Sequence, residues 1–141
     1  MPPHVVEVPV RFGDVDQARI VYYPNLFHYG HVAMEQTFAD VLGVTYPDLL
    51  LKRRRGFPAV RIETDFLETV GYADVLRVAV SVLKVGTTSV TWRFEGARAD
   101  GTVCFRTTVT TVCVDMTTFR PVPVPDDLRP RLLALAAAAS A

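Results

Sequence analysis

The chain has 141 residues, enough for one domain that buries about 68–70% of the surface its unfolded form exposes. Fifteen Lys and Arg balance fifteen Asp and Glu, which removes any global electrostatic reason to expect nucleic acid or an anionic membrane as a partner. With 50% hydrophobic and 21% charged residues, a largely disordered chain is excluded as well.

The valine-rich stretch 5–12 predicts a first strand, ending in the turn-forming Gly13, Asp14, Val15 and Asp16. After the apolar run 20–23 comes Pro24, whose fixed φ and missing N–H suit the first turn of a helix. Leu26, Tyr29, Val32, Ala33, Phe38, Val41 and Leu42 then recur at spacings of three and four, predicting a helix of about five turns that ends at Gly43. Gly30 in its middle costs about 1 kcal/mol relative to Ala, which makes sense where another backbone passes close by. A short helix over Tyr46–Leu51 leads into a basic connector, Lys52, Arg53, Arg54, Arg55 and Gly56.

Residues 58–115 read as strand throughout. Leu76, Val78, Val80 and Val82 alternate with Arg77, Ala79 and Ser81; Val90, Trp92 and Phe94 alternate with Thr91, Arg93 and Glu95; Val103, Phe105, Thr107, Val109 and Thr111 repeat the same period. Gly71, Gly86-Thr87-Thr88 and Asp100-Gly101 mark the turns between them. Pro121, Pro123 and Pro125 cannot donate ladder hydrogen bonds, and the Ala-rich segment from Asp126 is expected to be helical.

One strand, one long helix and four long antiparallel strands give an α+β domain spanning 1–141, with the sheet covering the apolar faces of the helix. Such a sheet leaves an edge unpaired, so a homodimer is expected. Residues 1–9 have neither the basic start nor the apolar core of a signal peptide, and no apolar run reaches the ~18 residues that span a bilayer; the expected location is the cytoplasm. Cys104 and Cys113 lie nine positions apart, an odd number that points them to opposite faces of a strand, so both are expected to be small buried apolar groups without a disulfide.

The stretch 11–25, RFGDVDQARIVYYPN, resembles the signature of the 4-hydroxybenzoyl-CoA thioesterase family. Phe66, Gly71, Tyr72, Asp74 and Leu76 continue the likeness at the family's spacing, and length and element order extend it over nearly the whole chain. The resemblance implies the hotdog fold, a long central helix wrapped by a five-stranded antiparallel sheet, with dimers pairing into a homotetramer. It implies hydrolysis of an acyl-CoA or aroyl-CoA thioester with no cofactor. Asp16 then serves as general base or nucleophile, and the backbone N–H of Tyr23, just before Pro24 at the helix start, holds the charge that develops on the thioester oxygen. Read from the residues alone, Asp14 and Asp16 are also ordinary Asx-turn formers; the resemblance favours chemistry for Asp16 and leaves Asp14 structural.

His28, His31 and Glu35 share one stripe of the helix, but no further ligand at motif spacing accompanies them, and no metal is expected. The resemblance places His31 at a helix position that is often acidic in the family and contacts the acyl group in some members. Arg19 stands where the family usually has glycine, with a phosphate or solvent as its partner. The turn at Gly86 lacks the basic cluster with which a close member of that family grips the nucleotide end of CoA, leaving Lys84, Arg93 and the run Arg53-Arg54-Arg55 as candidate phosphate partners. Phe27, Tyr29, Phe57, Phe66, Trp92 and Phe94 are candidates to line an aromatic acyl pocket or simply to form core. Two other readings stand beside acyl-CoA hydrolysis: a thioesterase acting on an acyl carrier protein, and a non-catalytic acyl-binding protein.

Overall fold

Period-two alternation produces the strands of the computed structural model, which describes residues 3–140. In chain order they are β1 (His4–Pro9), β2 (Arg55–Gly56), β3 (Ala59–Phe66), β4 (Val75–Val85), β5 (Ser89–Ala97), β6 (Val103–Val112) and β7 (Val114–Asp115). The helices are α1 (Pro24–Thr37), α2 (Tyr46–Leu51) and α3 (Arg129–Ser140). Five strands form one antiparallel sheet in the order β1-β4-β5-β6-β3, while β2 and β7 pair in a small second sheet.

The long helix starts at Pro24 as expected and runs regularly to Thr37. It then widens into a π turn, Phe38–Leu42, before Gly43 closes it with φ of 81°, a left-handed conformation that favours glycine. Leu26, Ala33, Met34, Phe38 and Leu42 are buried against the alternate residues Leu76, Val78, Val80 and Val82 of β4, Trp92 and Phe94 of β5, and Phe105 of β6. Each buried Val, Leu, Met or Phe side chain among them contributes about 1.5–3 kcal/mol by leaving water. Gly30 is explained differently from expectation: what passes close is the Phe94 ring, whose Cδ2 would lie 3.2 Å from an added Cβ, not a backbone.

The opposite face of the sheet is polar. Arg106 Nε donates to Glu95 Oε2 at 2.8 Å, and Arg93 reaches the same carboxylate at 3.8 Å. Helix α3 covers β4 and the π turn; Leu132 and Leu135 on it and Leu128 just before it are buried, and Arg131 donates to the Val41 carbonyl at 2.9 Å. Arg129 clamps the β4–β5 turn by donating to the carbonyls of Gly86 (3.0 Å) and Thr87 (3.1 Å).

The first strand is shorter than the predicted 5–12. Pro9 offers no ladder donor, the chain leaves the sheet there, and Phe12–Asp14 form a single 3-10 turn. At the far side β3 is an unpaired edge on which Val60 is 63% and Phe66 52% exposed. Both cysteines are free and buried, and burial pushes the Cys113 thiol up to about 11. No helix among the described residues is long and apolar enough to cross a membrane.

Candidate active site

Between the first strand and α1 the chain folds into a miniature hairpin. Val15 bridges Val21, the Tyr22 N–H donates to the Asp14 carbonyl at 2.9 Å, and the Asp16 N–H donates to the Ile20 carbonyl at 3.1 Å. The three-residue loop Gln17-Ala18-Arg19 closes through a bond from the Arg19 N–H to the Asp16 carbonyl at 3.0 Å. Arg19 takes φ of 68°, the left-handed residue that such a three-residue loop requires after its first turn. A second loop braces the hairpin: Val21 donates to the Val70 carbonyl at 2.7 Å, and Asp74 Oδ2 accepts from the Gly71 N–H at 2.8 Å.

Asp16 lies on the exposed rim of this hairpin. Its Oδ1 accepts from the Ala18 N–H at 2.7 Å, an Asx turn that fixes the carboxylate plane, and among the described residues Oδ2 takes no hydrogen bond or ion pair. The turn-forming and chemical readings of Asp16 are therefore compatible, one oxygen for each. Three residues beyond Ile20, at most about 10 Å along the chain, Tyr23 precedes Pro24 and its N–H makes no hydrogen bond among the described residues. A free carboxylate oxygen and a free amide at the positive end of a helix thus flank one short hairpin strand. The Tyr23 side chain is exposed and stacks on Tyr22, with centroids 5.5 Å apart, while Phe66 lies 5.9 Å away on its other side. Ile20, Tyr23, Leu26, Phe66, Leu67, Glu68 and Val70 wall a cleft of about 280 Å³ beside this amide.

A deeper cavity of about 210 Å³ opens between α1 and the sheet. Phe27, Gly30, His31 and Met34 form its helical wall, Phe57 and Ile62 its edge-strand side, and Phe94, Thr107 and Thr111 its floor. Its lining is mainly apolar. His31 is held by Glu35 at 2.9 Å and meets the edge of the Tyr46 ring at 5.9 Å. Burial pushes the Tyr46 hydroxyl up, partly offset by the Phe57 N–H that donates to it.

Of the six candidate aromatics, Phe27, Phe57 and Phe94 line this cavity. Phe66 lines the neighbouring cleft, Trp92 is wholly buried core, and Tyr29 faces away toward Asp14. The last outcome follows from helical geometry, since two residues turn the axis by about 200° and carry Tyr29 off the face of Phe27. The candidate phosphate partners fare unevenly. Arg53 is committed to a two-pronged pair with Asp127 at 2.7 and 2.9 Å, Arg55 pairs with Asp115 at 3.3 Å, and Arg93 lies on the polar back of the sheet. Lys84 is exposed at the far end of β4, about 30 Å along that strand from the end nearest the hairpin. His28 lines a shallow groove against β1, on a different side of α1 from His31. Sequence reasoning missed Glu68 in the cleft that Tyr23 lines, and Thr107 and Thr111 in the cavity floor; period-two alternation puts both threonines on the core face without distinguishing cavity from core.

The thioesterase-like superfamily model matches residues 10–132, which include the hairpin, the helix start and every strand from β2 to β7. The chain belongs to that superfamily. It is a thioester hydrolase, and its fold is the hotdog fold. The chain is 26% identical over 119 residues to a 1,4-dihydroxy-2-naphthoyl-CoA hydrolase of Nostoc punctiforme, a match that covers 84% of this chain and 79% of that protein. A crystal structure of a thioesterase superfamily member from Jannaschia sp. CCS1 superposes with a TM-score of 0.87 at 30% identity, covering 94% of this chain and 92% of the other. A gentisyl-coenzyme A thioesterase superposes with a TM-score of 0.82 at 25% identity, covering 89% and 99%.

Proposed function

We propose that the chain hydrolyses an acyl-CoA thioester whose acyl group is aromatic, releasing the free acid and CoA, in the manner of the 4-hydroxybenzoyl-CoA thioesterase family. The observation that carries this reading is that one hairpin and the helix start that follows it hold both a free Asp16 Oδ2 and an unbonded Tyr23 N–H. Asp16 either takes a proton from water, whose oxygen then adds to the thioester carbon, or attacks that carbon itself. In both routes the carbonyl oxygen becomes negative and is held by the Tyr23 amide, aided by the helix dipole and by the preset backbone of Pro24. Collapse expels the CoA thiolate, which is protonated as the thiol; in the second route the acyl group stays on Asp16 as a mixed anhydride, which water then hydrolyses to the free acid and the regenerated carboxylate.

The acyl group occupies the cavity between α1 and the sheet, with His31 at its polar end. Its volume of about 210 Å³ exceeds the roughly 150 Å³ that accommodates benzene in an engineered apolar core, so a substituted ring or two fused rings fit. The names of the similar hydrolases, a dihydroxynaphthoyl-CoA and a gentisyl-CoA enzyme, support an aromatic acyl group. Exposed Arg19 beside the hairpin is a candidate for the CoA phosphates, and Lys84 joins it only from a second protomer. The exposed edge of β3 is where a homodimer forms by extending the sheet, with dimers pairing further into a tetramer.

Asp16→Asn and Asp16→Ala test the chemistry with benzoyl-CoA and 1,4-dihydroxy-2-naphthoyl-CoA, following thiol release. The expected loss in kcat is at least about 100-fold; near-wild-type hydrolysis by either variant refutes the reading. A second reading, an acyl carrier protein as donor of the same acyl group, is favoured by the ion pairs that occupy Arg53 and Arg55 and leave few free cations for a nucleotide. A kcat/KM at least tenfold higher for the carrier-bound thioester than for the matched CoA thioester would select it.

A further inference from the structure

We propose that Tyr29 is a positioning residue for the proposed site, fastening the Asp16 hairpin to the body of α1; this rests on the reading of Asp16 and the Tyr23 amide given above. Tyr29 is 2% exposed, and its hydroxyl donates to Asp14 Oδ2 at 2.7 Å. The same carboxylate oxygen accepts the Arg11 N–H at 3.0 Å, which closes the 3-10 turn. The Asp14 carbonyl meanwhile accepts the Tyr22 N–H at 2.9 Å and the Asn25 side-chain amide at 3.0 Å.

Asp14 therefore accepts four bonds and is a junction joining the turn before the hairpin, the second hairpin strand, the first turn of α1 and, through Tyr29, the next turn of the helix. Asp16 ends the first strand of the hairpin, and the Tyr23 amide follows its second strand at the helix start. The ladder bonds keep those strands together, and the Tyr29 to Asp14 bond holds the first strand against the helix body. Burial and the adjacent carboxylate both raise the Tyr29 hydroxyl far above its ordinary range, so it remains a donor throughout the working pH range. Tyr29 touches neither the cavity nor the cleft beside Tyr23, so any effect of its hydroxyl on turnover must pass through Asp14. Misplacing a reacting group by about 1 Å can cost 100-fold in rate, which makes such a fastening measurable.

Tyr29→Phe removes the hydroxyl and keeps the ring. With benzoyl-CoA and 1,4-dihydroxy-2-naphthoyl-CoA as probes, the expected result is a kcat about 10 to 100-fold lower with KM within twofold of wild type. Asp14→Asn, which keeps an acceptor for the hydroxyl, is expected to retain most of kcat. Thr37→Val is the control: it deletes another buried hydroxyl of the same helix, bonded to the Ala33 carbonyl at 2.7 Å, and is expected to leave kcat unchanged. Wild-type kcat in Tyr29→Phe, beside an inactive Asp16→Asn, overturns the positioning role alone; equal losses in Tyr29→Phe and Thr37→Val overturn it as mere destabilisation. An active Asp16→Asn overturns the reading of the site instead. Amide hydrogen exchange gives a readout independent of turnover: Tyr29→Phe should speed exchange in residues 12–23 and not in β4 to β6, and unchanged exchange there refutes the fastening even if wild type cleaves neither probe.

Discussion

Replacing Arg19 with glycine should stabilise the protein. Arg19 holds φ at 68°, a left-handed conformation that costs an L-residue with a side chain about 1–2 kcal/mol. Glycine takes that conformation without the clash but brings about 0.5–1 kcal/mol of extra conformational entropy to the unfolded chain. The difference leaves a net gain of about 0.5–1 kcal/mol. At about 2.1 cal/mol/K per residue, unfolding this chain releases about 0.3 kcal/mol/K at Tm, so Tm should rise by about 2–3 °C. Arg19→Gln is the comparison that isolates the backbone, because it removes the charge but keeps the strained φ. Scanning calorimetry of the three proteins at pH 7 and moderate salt makes the measurement. A Tm for Arg19→Gly at or below that of Arg19→Gln refutes the strain argument. The same pair separates strain from substrate binding: a guanidinium that holds a CoA phosphate raises KM in both variants alike, whereas hairpin strain distinguishes them.

Gly96→Ala should destabilise by about 1–3 kcal/mol, read by urea denaturation, because an added Cβ would fall 2.2 Å from Cε1 of the fully buried Phe105 ring. Stability should decline on acidification through the carboxylate range. Asp127 is held below its ordinary value by its bonds to Arg53, and Asp40 by its bonds to Gln36 and His4. Depressed folded-state values contribute stability above the unfolded value near 3.8 that disappears as pH falls through the folded ones. A Tm that stays flat from pH 6 to pH 3 would contradict this. Iodoacetamide at pH 8 should modify Cys113 only as fast as the protein opens, since burial keeps it a thiol up to about 11; mass spectrometry showing its rapid modification in the native state would count against that burial.

The elements were legible in the sequence because each carries its own period. The valines and leucines of β4 and β5 alternate and are found alternately buried, and the apolar spacing from Leu26 to Leu42 matches the observed helical span. What periodicity cannot supply is adjacency. Alternation assigns a strand its buried face but not its neighbour, so β3 crossing to pair with β6, with β4 and β5 between them in sequence, is visible only in the fold. The π turn was hidden for a related reason: widening the helix at Phe38–Leu42 leaves Phe38 and Leu42 buried, as an unbroken α-helix would also do. The basic run 53–55 was ambiguous because charge density says nothing of partners; Asp115 and Asp127, at 60 and 74 residues' separation, pair with two of its three arginines.

The candidate site shows how a local reading and a chemical one can share a residue. Asp16 forms an Asx turn, as the stretch Gly13 to Asp16 suggested, and the bond from Ala18 holds Oδ1 while leaving Oδ2 without a hydrogen bond among the described residues. Without that bond the side chain would rotate among its rotamers, and aligning it with the Tyr23 amide would cost conformational entropy on each encounter with substrate. Asp14, two residues earlier on the same side of the hairpin, has its Oδ2 taken by Tyr29 and Arg11 and is thereby removed from competition. Two aspartates of the same hairpin are thus separated into a junction and a candidate base by their hydrogen-bond partners, one of which lies on α1, fifteen residues away. Spacing alone could not assign those roles, because the partner that distinguishes them is brought into place only when the helix packs beside the hairpin.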